Sequence, residues 1–122
     1  MKAESSFVSF VLELFAPLGR ISARRMFSGH GLFHEGLMFG LVFQDQLFLK
    51  VDAQSQGRFE RAGLTPFTYT RQGRQVALSF FRAPDSVFDE PEQAADWGRA
   101  AIGAAIRAQA GQRTASARRI RP

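Results

Sequence analysis

Cysteine is absent from this chain of 122 residues, and so are long apolar runs. Without thiols there is no disulfide framework, no thiolate metal site, no iron–sulfur cluster and no cysteine nucleophile, which is compatible with a reducing cytosol. No stretch reaches the eighteen apolar residues of a membrane span, and the first residues, Met-Lys-Ala-Glu-Ser-Ser, include an acid and precede no signal-cleavage site. We therefore expect a cytoplasmic protein with no membrane contact.

Aromatic residues with a polar group are scarce. Thirteen of the fifteen aromatic residues are Phe, with one Tyr and one Trp. Because a phenyl ring carries no hydrogen-bonding group, this composition indicates core filling before it indicates base stacking or active-site chemistry. The length fits one domain that buries about two-thirds of its surface without a metal or disulfide.

Acidic residues are missing from the last ten positions, and this absence accounts for most of the net charge of +5. Those positions hold four arginines: Arg113, Arg118, Arg119 and Arg121. Residues 1–112 hold twelve basic and eleven acidic side chains. The sequence thus predicts a nearly neutral domain at 1–110 and a basic, disordered tail at 111–122. The arginines fit sequence-independent binding to nucleic acid, but they also fit a solvated tail or the start of a linker.

The first helix is predicted from apolar residues at helical spacing. Ser5 or Ser6 caps it, and Pro17 and Gly19 end it. Its apolar stripe consists of Phe7, Phe10, Val11, Leu14 and Phe15. Such a stripe is typical of a core-facing surface, with a dimer contact as the alternative.

Two further helices are predicted from their terminal residues. Asp52 caps a short helix at 54–62, which Gly63 ends. Pro91 opens a longer helix that ends near Gln109. The inner face of that helix has one Trp among small residues, which allows close approach to a neighbouring element.

Five strands lie between these helices. The first, at 24–27, extends past a glycine break towards Phe33, and runs at 37–43 and 47–51 follow it. A second hairpin joins 66–70 to 75–81. The predicted fold is α+β, a two-layer sandwich with helices on an antiparallel sheet, in the order α-β-β-β-α-β-β-α.

Candidate catalytic and metal-binding groups are few. Gly29-His30-Gly31 resembles a phosphate loop, but His34 stands where a dinucleotide fingerprint needs its third glycine, which favours a β-bulge or tight bend. In a strand the two histidines would lie about 13 Å apart, too far to share a metal ion. No nucleophile elbow or triad spacing is present. We predict no catalytic, cofactor-binding or metal-ligating residue, with an uncharacterised enzyme as an alternative.

Five ordered blocks of the sequence are similar to one known family. They are R-R-M-F-S-G-H-G-L-F at 24–33, G-L-M-F-G-L-V at 36–42, L-F-L-K-V-D at 47–52, R-F-E-R-A-G-L-T-P-F-T-Y at 58–69 and V-A-L-S-F-F-R-A-P at 76–84. Together they resemble the TfoX/Sxy N-terminal domain. The resemblance covers residues 7 to about 108.

The resemblance implies a bacterial regulatory domain without recognised catalytic residues. Better-known members are competence regulators that act as coactivators with the cyclic-AMP receptor protein, and they carry a second domain, so this chain is expected to be a stand-alone module. The expected partner is a protein, such as a transcription component, and the expected state is a monomer or homodimer. The candidate contact residues are Arg24, Arg25, Met26, Phe27, Gly29 and Gly31. The alternative places the arginines on an edge strand and the apolar pair in the core.

Overall fold

The computed structural model describes residues 3–26 and 28–120, with side chains for 6–26 and 28–111. Four α-helices and six strands follow one another along the chain. They are α1 (Ala3–Phe15), a 3-10 turn (Ala16–Leu18), β1 (Ile21–Met26), β2 (Gly29–His34), β3 (Leu37–Phe43), β4 (Gln46–Lys50), α2 (Gln56–Arg61), β5 (Pro66–Arg71), β6 (Arg74–Arg82), α3 (Ser86–Asp89) and α4 (Pro91–Ile120).

The strands form one antiparallel sheet in the order β1-β2-β3-β4-β6-β5. Three of its hairpins close through two-residue turns with positive φ: Glu35-Gly36, Gln44-Asp45 and Gln72-Gly73. Turns of this hand match the right-handed twist of the strands that they join. These short turns set the register at the turn end of each of the three hairpins.

The main core lies between the helices and one face of the sheet. The fully buried side chains include Val11 and Phe15 of α1, Leu32 of β2 and Phe39 of β3. On α4, Gly98 lets α1 and the 3-10 turn approach closely, because a Cβ there would lie 3.0 Å from the ring of Phe15 and 2.6 Å from Leu18 Cδ1. The predicted role of small residues around Trp97 is thereby confirmed.

A β-bulge at Phe39 sets which side chains point to each face. Leu32 pairs with Gly40 and Phe33 pairs with Met38, so Phe39 has no partner on β2. The extra residue keeps Phe39 in the main core and places Leu41 on the opposite face.

The α+β fold is confirmed, and the strand count is close to the prediction. One predicted strand is in fact two, because the chain reverses between Met26 and Gly29 and pairs β1 with β2. The polar turns and the strand at 37–43 are as predicted.

The helix boundaries differ more. α1 begins at Ala3, before the predicted serine caps, and Val8 replaces Phe10 on its buried stripe. The four-residue helix α3 was not predicted. α4 continues to Ile120 rather than ending near Gln109, so the backbone of 111–120 is helical where the sequence predicts a disordered tail. Alanine, glutamine and arginine in that segment are strong helix formers.

Candidate functional site

The second face of the sheet carries its own apolar cluster, and no described helix residue belongs to it. Its buried members are Leu41, Phe48, Phe67 and Phe80, and Met38, Phe43, Tyr69 and Leu78 are half-buried around them. All of them come from β3, β4, β5 and β6. We call this surface the open face.

Aromatic rings are joined across the open face. The ring centroid of Phe67 lies 5.4 Å from that of Phe43 and 4.9 Å from that of Phe48, with both pairs edge-to-face. The ring of Tyr69 stacks on that of Phe67 at a centroid distance of 6.2 Å. Such pairs are individually worth about 0.5–1.5 kcal/mol beyond the burial of their area. The network fixes the positions of these rings on the sheet.

A groove of about 410 Å³ opens among these rings. It is lined by Ser28, Phe43, Phe67, Thr68, Tyr69, Thr70 and Leu78. Ser28 lies in the β1–β2 turn, whereas the threonines lie on β5 at the far edge of the sheet. The sheet must curl strongly to bring these segments together, which explains why Phe48, Phe67 and Phe80 are only 6–7% exposed although no described helix residue covers them.

All charged side chains on the six described strands are basic. None of the six described strands contains an acidic residue, although the chain has eleven. The strands carry six basic residues: Arg24, Arg25, Lys50, Arg71, Arg74 and Arg82. The acids lie on helices, turns and loops instead.

Three of these cations lie on the open face beside aromatic rings, and Arg71 and Arg74 share that face because they alternate with Tyr69 and Leu78. The guanidinium carbon of Arg24 is 4.5 Å from the ring centroid of Phe33. Lys50 Nζ is 5.2 Å from the centroid of Phe80. Arg82 pairs in register with Phe48 and therefore shares its face. The open face thus places ammonium and guanidinium groups beside aromatic rings.

The predicted contact residues divide between the two faces. Arg24, Met26 and Gly31 lie on the open-face side, whereas Arg25 pairs with His30 and points to the side of the helices. Gly29 lies at the start of β2, and Phe27 is outside the described residues. The structure therefore brings part of the predicted motif to the open face and separates Arg25 from it.

Both motif glycines are required by close packing. A Cβ at Gly29 would lie 2.0 Å from the backbone oxygen of Val42. A Cβ at Gly31 would lie 2.5 Å from Met26 Sδ and 3.0 Å from Phe33 Cε1. These positions are explained by close approach within the sheet, not by phosphate binding.

The structure does not describe the side chains of the arginines predicted to bind at the end of the chain. Arg113, Arg118 and Arg119 lie on the C-terminal part of α4, and their side chains are outside the described ones. Arg121 is outside the described residues altogether. Their contact with nucleic acid stays a prediction.

Two ion pairs tie α4 to the rest of the fold. Arg107 donates from Nε to Asp52 Oδ2 at 2.5 Å and from Nη2 to Oδ1 at 3.1 Å. The hydrogen bond with Arg107 lowers the pKa of Asp52 from 3.8 to about 2, and bonds from Ser55 add to this. Arg58 bonds Asp96 at 2.5 Å and also lies over Trp97. These pairs are structural, since one joins α4 to the segment that follows β4 and the other joins α4 to α2.

The described residues give little support to a catalytic or metal-dependent function. His30 and His34 alternate with Leu32 and share the helix-covered face, away from the open-face groove. Within the described residues, no three His, Asp or Glu side chains are placed to hold a metal ion. The lining of the groove contains neither a histidine nor a carboxylate. Among the same residues, no helix combines the length and apolar character that a membrane crossing requires.

Sequence reasoning missed most of this surface. Lys50, Arg82, Phe43, Phe67 and Tyr69 were not singled out, because each is unremarkable in its own strand. A signal was present: every predicted strand lacks an acidic residue. Which strand residues share a face, however, depends on the bulge and on the register.

Comparison with known proteins identifies the family. The TfoX N-terminal domain family matches residues 13–105. The chain belongs to the TfoX N-terminal domain family. It is also 33% identical over 78 residues to the DNA transformation protein TfoX1 of Aliivibrio fischeri (strain ATCC 700601 / ES114). That match covers 64% of this chain and 35% of the relative, so only about a third of the TfoX1 relative corresponds to this TfoX domain.

Proposed function

We propose that this TfoX-type domain is a non-enzymatic regulatory domain that acts by binding a macromolecular partner through its open face. The observation that carries the proposal is the open face itself, where an apolar, aromatic surface with cations beside it has no helix over it among the described residues. Apolar surfaces of this kind, flanked by polar groups, mark interaction sites. The matched relative is named a DNA transformation protein, which supports a role in a process that involves DNA.

A genetic experiment tests the regulatory role. The gene would be deleted in the parent organism and restored as wild type or as either of two variants. The open-face variant is Arg24→Glu with Lys50→Glu, and the helix-side variant is Arg61→Glu with Arg99→Glu, which has the same net charge. Total RNA would then be sequenced.

We expect the deletion to change a defined set of transcripts. The wild type and the helix-side variant should restore them, and the open-face variant should not. Immunoblots and thermal unfolding of the purified variants check that each is present and folded. A deletion without any change in transcripts, or equal restoration by both variants, would refute the proposal.

Direct nucleic-acid binding through the tail is the second candidate function. It is favoured by the four arginines and the absence of acids in the last ten residues. Such a segment would neutralise phosphates without reading the sequence, and its affinity would fall steeply with salt. A protein partner and a homodimer stay proposals beside it.

A further inference from the structure

The open face combines two kinds of binding group that seldom serve the same ligand. Cations on Arg24, Lys50 and Arg82 call for an anionic ligand, and the described strands contain no acid to oppose it. The groove among Phe43, Phe67 and Tyr69 is apolar and calls for a flat or hydrophobic group. A ligand that satisfies both must carry negative charges and planar apolar groups in alternation.

We propose that the open face binds single-stranded nucleic acid, with a base in the aromatic groove and phosphates beside the cations of Arg24, Lys50 and Arg82. This assignment rests on the proposed function and names the ligand of the same face. A nucleic acid strand has the required alternation, because each nucleotide supplies one planar base and one negatively charged phosphate. Proteins that bind single strands combine a cationic track with aromatic stacking platforms in this way.

The dimensions of the groove agree with one unpaired base. Its volume of about 410 Å³ falls in the range of sites that hold small organic groups. Thr68 and Thr70 of the edge strand β5 complete its lining.

A duplex fits this face less well. In a duplex the bases are stacked inside, so their ring faces cannot enter a recessed groove, and only phosphates and groove edges are presented. An acidic peptide would satisfy the cations but would leave the aromatic groove empty. The charge and the groove together therefore favour single strands over both.

Fluorescence anisotropy with the full chain tests the assignment. The probes would be labelled mixed-sequence DNA and RNA strands of about twelve nucleotides, the same DNA as a duplex, and a poly-glutamate peptide, each at about 50 and 200 mM salt. We expect binding to a single strand, DNA or RNA, that is at least tenfold tighter than to the duplex or the peptide. Absence of single-strand binding, or equal binding of the duplex or the peptide, would overturn the proposal.

Matched variants locate the site. Arg24→Ala and Arg25→Ala remove neighbouring exposed arginines that point to opposite faces. Only Arg24→Ala should weaken single-strand binding, about three- to tenfold for one lost phosphate contact in low salt. Equal losses from both variants would show that only overall charge matters, which would contradict a site on the open face.

A second pair tests the groove. Phe43→Leu removes a ring at the groove, and Phe10→Leu removes a ring from the helix side, where Phe10 is 41% exposed. Loss of one stacking ring should weaken binding by about tenfold, and Phe10→Leu should leave it unchanged. Circular dichroism verifies that each variant folds. If Phe43→Leu does not fold, the comparison of Arg24→Ala with Arg25→Ala still tests the site.

Photocrosslinking gives a readout independent of affinity. A strand containing 5-iodouridine should crosslink to peptides of β3 or β5 in the wild-type chain. Crosslinks confined to the helices would refute the site. If deletion of the gene changes transcripts but no single strand binds, the regulatory function stands and the ligand assignment alone is wrong.

Discussion

Gly29 and Gly31 differ in what surrounds them, although both belong to the same motif. The nearest atom to a Cβ at Gly29 is a backbone oxygen of β3, whereas at Gly31 it is the sulfur of a methionine side chain. Backbone in the middle of a sheet cannot move without breaking its ladder, but the end of a methionine can change rotamer. The two glycines should therefore tolerate a methyl group to different degrees.

We expect Gly29→Ala to destabilise the protein by about 3 kcal/mol and Gly31→Ala by about 1–2 kcal/mol. Urea unfolding monitored by circular dichroism measures both. Gly111→Ala is the control, because a Cβ there has open space within α4 and should stabilise the helix by about 0.5–1 kcal/mol. Equal losses at the two strand positions would contradict the packing explanation.

Asp52 and Arg107 make stability depend on pH. The folded-state pKa of Asp52 is about 2, below its ordinary value of 3.8. A depressed carboxyl pKa stabilises the folded state above the unfolded value, and this contribution is lost as the pH falls from about 4 to about 2. Arg107 is 39% exposed, so solvent screening reduces the contribution to about 1 kcal/mol.

Asp52→Asn should therefore lower the free energy of unfolding by about 1 kcal/mol near neutral pH, with the difference from wild type vanishing towards pH 2. Urea titrations between about pH 5 and pH 2 follow the change. Arg107→Met removes the same pair and should show the same flattened profile. A difference between wild type and Asp52→Asn that does not vary with pH would show that the ion pair is not its cause.

Helix α4 extends beyond the sheet that it covers. The last buried residue among its described side chains is Ala105, while its backbone continues to Ile120. The extension carries Arg113, Arg118 and Arg119 with no acid. We therefore expect these arginines to contribute through their charge.

Deletion of 111–122 should leave the fold intact and preserve the preference for single strands, because the open face is unchanged. The affinity should become less salt-dependent, with the log–log slope reduced by up to about 3 for four arginines. Anisotropy at several salt concentrations measures this slope. A full-length chain with all four arginines replaced by Gln should behave like the deletion, whereas an unaltered slope in both would exclude the tail from binding.

Elements with strong local signals were predictable from the sequence. The strand at 37–43 and the two polar turns after Phe43 and Arg71 follow from alternation and turn residues. The β1–β2 hairpin was missed because a glycine can mark a bulge as well as a reversal, and only the pairing of Met26 with Gly29 decides between them. The end of α4 was missed because its last part has no apolar periodicity.

At the scale of the whole molecule, the sheet belongs to two clusters at once. β3, β4 and β6 contribute side chains both to the core beneath the helices and to the open face. One cluster contains the single tryptophan, Trp97, and the other contains the single tyrosine, Tyr69. Shared strands should make the two clusters unfold together.

Fluorine NMR of the protein labelled with fluorotyrosine and fluorotryptophan tests this coupling, since each label enters one cluster alone. We expect the two resonances to lose their native signal at the same urea concentration. A lower midpoint for Tyr69 than for Trp97 would mean that the open face melts on its own.

The open face could be anticipated from the sequence only in part. The absence of acids from the strands can be read without a structure. The groove cannot, because Ser28 and Thr70 are far apart in the sequence and lie near opposite edges of the sheet. Curl and register are tertiary properties, and they decide which rings and cations meet.

Among the described residues, the linear strand order leaves β1 and β5 each with one unpaired edge. An unpaired edge can template a strand from another molecule and so begin a fibre. In an antiparallel β1–β1 pair centred on Arg24 and Arg25, these arginines would lie opposite their own copies and repel them. At the other edge, β5 begins with Pro66, which has no N–H to donate to a further strand. Both edge strands therefore resist pairing with a strand of a second copy. Concentrated protein should associate through the faces of its sheet rather than by adding strands at the edges.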